Sequence, residues 1–462
     1  MNYQYLPPFQ QEEYAFGGAH CFIAGDNSFL LSENGTSIVL KNILVSAIES
    51  RQLSEDLAFK LYQRGFGKVY GQERLKEPEE VICPTLFMID FTTKCNCNCV
   101  YCLRHFENVG ENISDEMLEK ITRYIIHYCE SNHIHRISFQ PWGGEPLIAL
   151  NQIITCKHLF DKAGIKANFT IQTNGLLLTC EIYEKLRSND ISVGVSIDGI
   201  ESVHDAHRLD VCGNTTHARV VRNLKDILTV YPNADIGSLS VNSVFSRDHI
   251  AENVSYLVDE LGLHSIKFNL VHPSGVDTFD HAMLLKEYEI EEYVKALVDA
   301  VIGQLRSGKL CMEANILDKL SNLLDHTGWN ICNSRGCRGG LSFISFDQHG
   351  NIYPCEMIGR SEFRIGNIAD ENNDICELIR EAQIKNGFYA ERKLDSCKNC
   401  PFLYFCRGGC KASCLAYGKE PCEVDSIECA INRSLYPILI ELILTEPQLV
   451  EQLMGRRIEI GW

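Results

Sequence analysis

Three cysteines stand close together in a segment that follows an apolar run of residues. Cys95, Cys99 and Cys102 have the spacing C-x3-C-x2-C. Three thiolates on one short loop can bind three irons of a 4Fe–4S cluster, and the fourth iron then stays free to bind and reduce another molecule. A zinc site is the alternative, with Cys97 or His105 as its fourth ligand. The spacing therefore predicts a metal site and leaves the metal open.

A second group of cysteines lies near the carboxyl terminus. Half of the 22 cysteines fall after residue 330, in a segment with few long apolar runs. Such a segment can hardly fill a core with side chains, so metal sites are expected to hold it together. Zinc and iron–sulfur clusters both fit C-x2-C spacing. The spacing runs Cys337-x12-Gly350-x4-Cys355, then Cys397-x2-Cys400-x5-Cys406-x3-Cys410, then Cys429.

Four polar or glycine-rich turns follow predicted strands. Paired glycines let the main chain approach a ligand closely, and a carboxylate can sit beside a ligand's ammonium group. Each turn taken singly is equally well explained as an ordinary loop between a strand and a helix. The turns are Gly143-Gly144-Glu145-Pro146, Gln172-Thr173-Asn174-Gly175, Ser196-Ile197-Asp198-Gly199 and His204-Asp205-Ala206-His207-Arg208.

The elements that must position these residues alternate between strands and helices. This alternation predicts a parallel sheet with outer helices, either an open barrel or a doubly wound sheet, with ligand sites at the carboxyl ends of the strands. The predicted strands are 86–89, 136–140, 168–172, 192–197, 239–244 and 265–270. The predicted helices between them are 114–130, 150–163, 179–188, 217–230 and 251–261.

Smaller elements flank this region. Strands at 21–24, 28–31 and 37–40 and helices at 43–50 and 54–65 predict a small α+β module within residues 1–80, of which 71–80 is a charged linker. A long helical region at 285–326 leads out of the alternating region, and a final helix is predicted at 432–453.

Composition excludes several classes of protein. A chain of 462 residues with 45% hydrophobic residues can form two or three domains with full cores, which excludes wholesale disorder. The net charge of -18 argues against a general nucleic-acid binder. The amino terminus does not resemble a signal peptide, and no apolar run is long enough to span a membrane. We therefore expect a cytoplasmic protein, without a membrane partner, whose thiols stay reduced.

The cysteine loop and the turns behind it, taken in order, resemble the radical S-adenosylmethionine (SAM) superfamily, whose signature is C-x3-C-x2-C with an aromatic residue before the last cysteine. The resemblance covers residues 85–274 and implies an α/β fold with a partial (β/α)6 barrel at 85–300. It implies a SAM-binding 4Fe–4S cluster on Cys95, Cys99 and Cys102. The residues that would contact SAM or substrate are Tyr101, Gly143, Gly144, Glu145, Gln172, Asn174, Ser196, Asp198 and Arg208.

The last third of the chain resembles the SPASM domain of peptide-modifying radical SAM enzymes. The resemblance places this domain at 331–462, after a helical connection at 301–330. It implies two auxiliary 4Fe–4S clusters, and Cys414 and Cys422 remain alternatives to Cys429 as the last ligand. The remaining cysteines, Cys97 among them, are expected to be mostly buried small apolar residues. The implied ligand sets are Cys332, Cys337, Cys355 and Cys410 for the first cluster, and Cys397, Cys400, Cys406 and Cys429 for the second.

The resemblance implies an enzyme that cleaves SAM and oxidises a precursor peptide, with a low-potential electron donor such as flavodoxin or ferredoxin. Thioether crosslinks from Cys thiols are the expected product, followed by carbon–carbon crosslinks and then by the formylglycine of anaerobic sulfatase maturases. A zinc-stapled scaffold is the non-enzymatic alternative. Sulfatase maturases usually carry Asp directly after the cysteine that matches Cys355, whereas this chain has Glu356, the candidate catalytic base. The amino-terminal module is either a leader-peptide recognition element or a packing extension.

Overall fold

The computed structural model describes residues 1–11, 14–69, 81–102, 110–273, 279–325, 332, 335–358, 361–370 and 374–458. The predicted linker at 71–80 and the alternative zinc ligand His105 lie outside these ranges. No helix within them is both long and apolar enough to cross a membrane.

The amino-terminal module contains two antiparallel sheets and two helices. One sheet has the order β1-β4-β5-β6 and the other β2-β3-β7. Its three predicted strands and two predicted helices are confirmed. The sequence analysis missed four strands, namely the edge strand β1 of the larger sheet and all three strands of the smaller sheet. The strands are β1 (Asn2–Leu6), β2 (Phe9–Gln11), β3 (Tyr14–Phe16), β4 (Ala19–Ala24), β5 (Asn27–Leu31), β6 (Ser37–Lys41) and β7 (Gly67–Val69). The helices are α1 (Asn42–Glu49) and α2 (Glu55–Gln63).

Local sequence explains the second helix of this module. The Ser54 hydroxyl accepts the main-chain N–H of Leu57 and so caps the start of α2. Gly65 follows the helix with a φ of +81°, a conformation that glycine adopts without strain. One face of the larger sheet packs under α1 and α2. Phe22 and Phe29 on the other face join the main core of the protein.

A large parallel sheet carries the alternating region. Its neighbouring strands β8, β10, β11, β12, β14 and β15 occur in the same order along the chain and across the sheet. A doubly wound sheet would reverse this order, so the fold is the partial (β/α)6 barrel. A separate ladder pairs β9 with β13. The strands are β8 (Leu86–Thr92), β9 (Cys97–Cys99), β10 (Arg136–Gly143), β11 (Lys166–Thr173), β12 (Ile191–Ser196), β13 (Arg208–Asp210), β14 (Ile236–Asn242), β15 (Ser265–Leu270) and β16 (Met312–Glu313).

Helices cover the outside of this sheet, and four of the five predicted ones are confirmed with small shifts at their ends. The helix predicted at 251–261 is α9 followed by a π-helix at Tyr256–Glu260. The helical region predicted at 285–326 consists of two helices, α10 and α11, with β16 between them. Glu313 explains the division: its carboxylate accepts the N–H of Ile316 at the start of α11 and the N–H of Phe268 in β15. The helices are α3 (Asp115–Ser131), α4 (Leu150–Lys162), α5 (Cys180–Ser188), α6 (Glu201–His207), α7 (His217–Val230), α8 (Val244–Arg247), α9 (Ile250–Ser255), α10 (Glu287–Arg306) and α11 (Ala314–Asp325).

The cysteine-rich segment continues the barrel sheet. β17 pairs in parallel with β8, and β18 and β19 follow antiparallel. The single final helix predicted at 432–453 is two helices, which begin earlier, at Ser426, and end as expected, at Met454. The division falls at Glu446, because the residue before a proline is disfavoured in the helical conformation. The elements are β17 (Phe343–Phe346), β18 (Asn351–Tyr353), β19 (Gly366–Asn367), α12 (Ile375–Lys385), α13 (Leu403–Cys406), α14 (Lys411–Ala416), α15 (Ser426–Thr445) and α16 (Pro447–Met454).

Candidate active site

The glycine pair after β10 packs against the main chain that leads to the first cysteine loop. The N–H of Gly144 donates to the carbonyl of Thr92 at 2.8 Å, and the N–H of Glu145 donates to that of Lys94 at 2.9 Å. A Cβ on Gly144 would lie 2.1 Å from the Lys94 carbonyl oxygen. Gly143 has a φ of +136°. Only glycine therefore allows this turn to hold the start of the loop that carries Cys95.

Glu145 joins two strand ends. Its carboxylate accepts the Thr173 hydroxyl at 2.7 Å and the main-chain N–H groups of Asn174 at 2.8 Å and Leu147 at 3.0 Å. The side chain is buried, and burial raises the pKa of its carboxyl group. Because the protein itself supplies these donors, Glu145 positions the end of β11.

Three further predicted residues, Gln172, Ser196 and Asn174, lie on this edge and contact either one another or the cysteine loop. The Gln172 side chain donates to the Ser196 hydroxyl at 3.0 Å and so links the ends of β11 and β12. The Asn174 side chain donates to the Asn96 side chain at 2.6 Å, and its amide nitrogen lies 3.9 Å from the sulfur of Cys95. The strand ends thus contact the cysteine loop directly.

Asp198 is the centre of a buried polar network. Its carboxylate accepts the Tyr101 hydroxyl at 2.5 Å, the Arg208 Nε at 3.2 Å and the main-chain N–H of Val241 at 3.0 Å. The Arg208 guanidinium lies over the Tyr101 ring, 5.2 Å from its centroid. Asp198 is 0% exposed. Burial lowers the pKa of Arg208, but Asp198, followed by Tyr101 and Cys99, together raise it well above its ordinary range.

The thiols of the first loop are suited to a cluster. The main-chain N–H of Cys97 donates to the sulfur of Cys95 at 3.4 Å, a hydrogen bond that stabilises a thiolate ligand. A hydrogen bond from Cys97, aided by the charge of Arg208, lowers the pKa of Cys99. Cys97 itself is buried. Throughout the described ranges, no three His, Cys, Asp or Glu side chains already stand in metal-ligating geometry. The ligand roles of Cys95, Cys99 and Cys102 therefore remain a proposal.

An open cavity lies beside this loop, with about 1520 Å³ of empty space when the part open to solvent is included. The walls come from the cysteine loop, the end of α6, the start of α8 and the segment before α10. Apolar side chains such as Phe245 alternate there with carboxylates such as Asp248. The lining residues are Asn98, Cys99, Val100, Ala206, His207, Ser243, Val244, Phe245, Asp248, Asp280, Ala282 and Met283.

Four cysteines meet where the carboxyl-terminal segment joins the barrel sheet. Cys332, Cys337, Cys355 and Cys410 pack around one small apolar cluster. Burial raises the pKa of Cys332 well above its ordinary value, and Cys337 and Cys410 raise it further. Main-chain N–H groups donate to two of the sulfurs, at 3.3 Å for Cys355 and 3.4 Å for Cys410. Buried thiols that accept such hydrogen bonds are suited to binding a metal ion, which replaces their protons.

A second set of four cysteines surrounds a smaller cavity. It has about 320 Å³ of empty space when the part open to solvent is included, and Cys397, Cys400, Cys406 and Cys429 all line it. Cys414 does not, because it contacts the Glu423 carbonyl at 3.3 Å and Arg392 at 3.8 Å. Cys422 also lies outside the lining. This geometry favours Cys429 over both alternatives as the fourth ligand.

The amino-terminal module covers this second cavity. The Phe22 ring of β4 stacks on Phe402, with centroids 6.0 Å apart, and Phe402 lines the cavity. Gly35 lies so close to Tyr404 that a Cβ would clash with its ring. Burial raises the pKa of the Tyr3 phenol on β1, and the nearby Cys400 thiol raises it further.

Glu356 lies with the first set of four cysteines. Cys355 donates its S–H to the Glu356 carboxylate at 3.2 Å. Glu356 is absent from the lining of the 1520 Å³ cavity, whereas His207 and Ser243 line it. The sequence analysis did not select Ser243, and it named His207 only as part of the turn from His204 to Arg208. Ser243 could have been identified as a site residue from its position directly after a barrel strand. His207 could have been identified because it precedes Arg208.

Comparison with known families and proteins gives a consistent result. The model of the Radical SAM superfamily matches residues 89–241. The chain is 25% identical over 343 residues to the cysteine-type anaerobic sulfatase-maturating enzyme of Clostridium novyi (strain NT), covering 71% of this chain and 87% of that protein. It is 31% identical over 312 residues to an uncharacterized protein of Methanocaldococcus jannaschii, covering 66% of this chain and 95% of that protein.

Two solved structures share the fold. Native anSMEcpe with bound AdoMet superposes with a TM-score of 0.66 at 21% identity, over 80% of this chain and 99% of that one. SuiB of Streptococcus suis bound to S-adenosylmethionine superposes with a TM-score of 0.55 at 16% identity, over 88% of this chain and 99% of that one.

Proposed function

The chain belongs to the radical SAM superfamily and is an enzyme that acts on a peptide or protein residue, and on that premise we propose that it oxidises a Cys-containing precursor peptide to a thioether crosslink. The observation that carries this proposal is the position of the cysteine loop beside the 1520 Å³ cavity, with two further sets of four thiols in the same protein. A cavity of this size accommodates a peptide segment next to the site of radical formation.

The first loop would hold the SAM-binding cluster through Cys95, Cys99 and Cys102. The chemistry that such a cluster would supply is the one-electron reduction of SAM, which would give a 5′-deoxyadenosyl radical able to take a hydrogen atom from the substrate. The protein has to hold the loop still, which the turn at Gly144 does through its contacts with Thr92 and Lys94.

The polar strand ends would bind the other end of SAM. Arg208 is a permanent buried cation that suits a carboxylate, with Asp198 holding its guanidinium in place. Gln172, Ser196 and Asn174 add neutral donors on the same edge of the sheet. This arrangement also keeps water away from the reacting carbon, because Tyr101 and Asp198 close the inner side of the site.

The two remaining cysteine sets would hold auxiliary clusters. Cys332, Cys337, Cys355 and Cys410 form one set, and the set around the 320 Å³ cavity forms the other. An auxiliary cluster gives the oxidation its electron acceptor. A low-potential donor such as flavodoxin or ferredoxin is the proposed source of the first electron.

Formylglycine formation is the second candidate. It is supported by sulfatase-maturating relatives of both the cysteine and the serine type. We rank it below thioether formation because Glu356 stands where sulfatase maturases usually have Asp. Carbon–carbon crosslinking differs from thioether formation only in the atom that captures the substrate radical.

The amino-terminal module is proposed to bind the leader part of the peptide. β1 is an edge strand whose one sheet partner among the described residues is β4. Tyr3 and Tyr5 on it are 52% and 42% exposed. An extended peptide can add a strand to such an edge.

The test is an anaerobic reaction of the iron- and sulfide-reconstituted protein with SAM, dithionite and a peptide. The probes are a short Cys-containing peptide encoded beside the gene and the Cp18Cys peptide that anSMEcpe binds. Loss of two hydrogens together with one free thiol, read by mass spectrometry, supports a thioether. Conversion of the Cp18Cys cysteine to an aldehyde supports formylglycine instead. A colourless, zinc-loaded protein overturns both.

A further inference from the structure

His207 and Ser243 form a buried hydrogen-bonded pair in the wall of the large cavity. The Ser243 Oγ lies 2.9 Å from the His207 Nε2. Ser243 is 1% exposed and His207 is 3% exposed, and both line the cavity beside Cys99. They come from different units of the barrel, since His207 ends α6 and Ser243 follows β14.

The direction of this hydrogen bond follows from the other contacts of the serine. Ser243 Oγ accepts the main-chain N–H of Phe245 at 3.1 Å and that of Ser246 at 3.4 Å, as the cap of α8. An oxygen that accepts two N–H groups has its own hydrogen left to donate. The Ser243 hydroxyl therefore donates to His207 Nε2, so this nitrogen is an acceptor.

The other ring nitrogen faces a carboxylate. His207 Nδ1 is buried and makes no hydrogen bond of normal geometry to a described residue. Asp198 Oδ2 lies 3.8 Å from it. Serine, histidine and aspartate thus stand in the order in which a proton passes from a hydroxyl to an imidazole that a carboxylate stabilises.

The proposed reaction needs such a proton acceptor. To form a thioether, the substrate C–H bond breaks and its hydrogen atom passes to the 5′-deoxyadenosyl radical. The substrate S–H bond then breaks, the C–S bond forms and one electron passes to an auxiliary iron–sulfur cluster. The thiol proton is left over and must go to a base.

We propose that the Ser243–His207 pair receives this proton, with Asp198 as the group that stabilises the protonated ring. This inference rests on the proposed function and replaces Glu356 as the expected base. Glu356 adjoins the proposed cluster ligand Cys355 and lies outside the cavity lining. Carbon–carbon crosslinking and formylglycine formation also release one proton, so the role does not depend on which bond forms.

Several charged or titratable groups surround the ring. Asp198 faces it from the end of β12, Arg208 adjoins it, and the Tyr101 ring lies 5.5 Å away. His204 lies one turn earlier on α6. Asp248 and Asp280 stand at the cavity wall. Burial lowers the pKa of His207 more than Asp198 and the Val203 main chain raise it, and Arg208 lowers it further, so the ring is neutral and able to accept a proton at neutral pH.

The experiment compares wild type with His207→Gln, His207→Ala and Ser243→Ala. Each reconstituted protein reacts with the two peptide probes under the conditions given above, and both oxidised peptide and 5′-deoxyadenosine are measured. His158→Gln is the matched control, since His158 is exposed on α4 and pairs with Asn189. Iron content and thermal melting of every variant establish that it folds.

We expect oxidised peptide per 5′-deoxyadenosine to fall roughly tenfold or more in both His207 variants, because general bases typically contribute factors of about a hundred or more. Hydrogen abstraction should persist, so deuterium from the substrate still reaches 5′-deoxyadenosine. Imidazole added to His207→Ala should restore part of the product, which a merely structural role would not do.

Other outcomes overturn the proposal in distinguishable ways. An unchanged product ratio in His207→Gln, or a loss of coupling in Glu356→Gln alone, overturns the proton-accepting pair and leaves the proposed function intact. If the wild-type protein oxidises neither peptide, the proposed function fails and this inference fails with it.

Discussion

Arg208 stands directly opposite Cys99 in the antiparallel ladder of β9 and β13, and its Nη1 lies 3.9 Å from the Cys99 sulfur. The same guanidinium pairs with Asp198 through Nε. One buried cation therefore connects the first cysteine loop to the end of β12. Its loss should be felt in both places.

Replacing Arg208 with Met should lower the free energy of unfolding by about 3–5 kcal/mol, because it leaves the Asp198 charge buried without its partner. Urea unfolding of the anaerobic protein measures this. The double variant Arg208→Met, Asp198→Asn should recover part of the loss. In the matched control Arg187→Met, an exposed pair with Glu184 is removed, and the cost should stay under about 1 kcal/mol. Equal costs at the two arginines would contradict the argument.

Gly144→Ala should strongly reduce SAM cleavage while most of the fold survives. Its new Cβ would meet the Lys94 carbonyl at 2.1 Å and displace the start of the cysteine loop. The measurement is 5′-deoxyadenosine formed per minute at equal protein concentration. Gly303→Ala is the control, because a Cβ there meets nothing within 4 Å. Replacing this glycine of α10 with alanine should stabilise the helix by about 0.5–1 kcal/mol. Normal cleavage by Gly144→Ala would show that the turn does not hold the loop.

Replacing Cys95, Cys99 and Cys102 together with Ala should abolish SAM cleavage and keep about two thirds of the bound iron, if each of three clusters holds an equal share. Iron and sulfide assays and 5′-deoxyadenosine measurement decide this. Replacing the buried cysteine Cys156, which contacts Thr122 at 3.4 Å, with Ala should leave iron content unchanged. Retention of wild-type cleavage in the triple variant would refute the assignment of the loop.

Phe22→Ala should destabilise the protein by about 3–5 kcal/mol, since the ring is 4% exposed and stacks on Phe402. Iron should be lost preferentially from the cavity that Phe402 lines. Electron paramagnetic resonance of the reduced protein would report which cluster signal weakens. Phe59 on α2 is 55% exposed, so Phe59→Ala should change neither property. A full set of cluster signals in Phe22→Ala would show that the amino-terminal module does not support this set of cysteines.

Glu313 should make stability depend on pH. Burial raises the pKa of its carboxyl group from 4.5 to about 7. As the pH rises from 4.5 through 7, the unfolded chain releases this proton while the folded protein keeps it, so the free energy of unfolding falls by up to about 3 kcal/mol. Glu313→Gln should flatten this slope in urea unfolding measured at several pH values. An unchanged slope would contradict the assignment.

Much of the site was predictable because its signals are local. The spacing of the proposed ligands Cys95, Cys99 and Cys102 fits the reach of a short loop around a metal, and a glycine such as Gly144 marks a close approach of two backbones. The barrel strands followed from hydrophobic periodicity, which records only which face of a segment is buried. The choice between barrel and doubly wound sheet was not local, because it depends on the order in which the strands pair.

Local pattern thus defined the radical SAM loop, the cysteine sets and the βα units of this protein. Long-range packing decided the rest: that Phe22 stacks on Phe402 beside a cavity lined by Cys429, that Glu313 joins β15 to the start of α11, and that His207 meets Ser243. The physical reason is that such contacts join residues far apart in the chain. Their formation depends on sheet order and loop closure, which no short stretch of residues encodes.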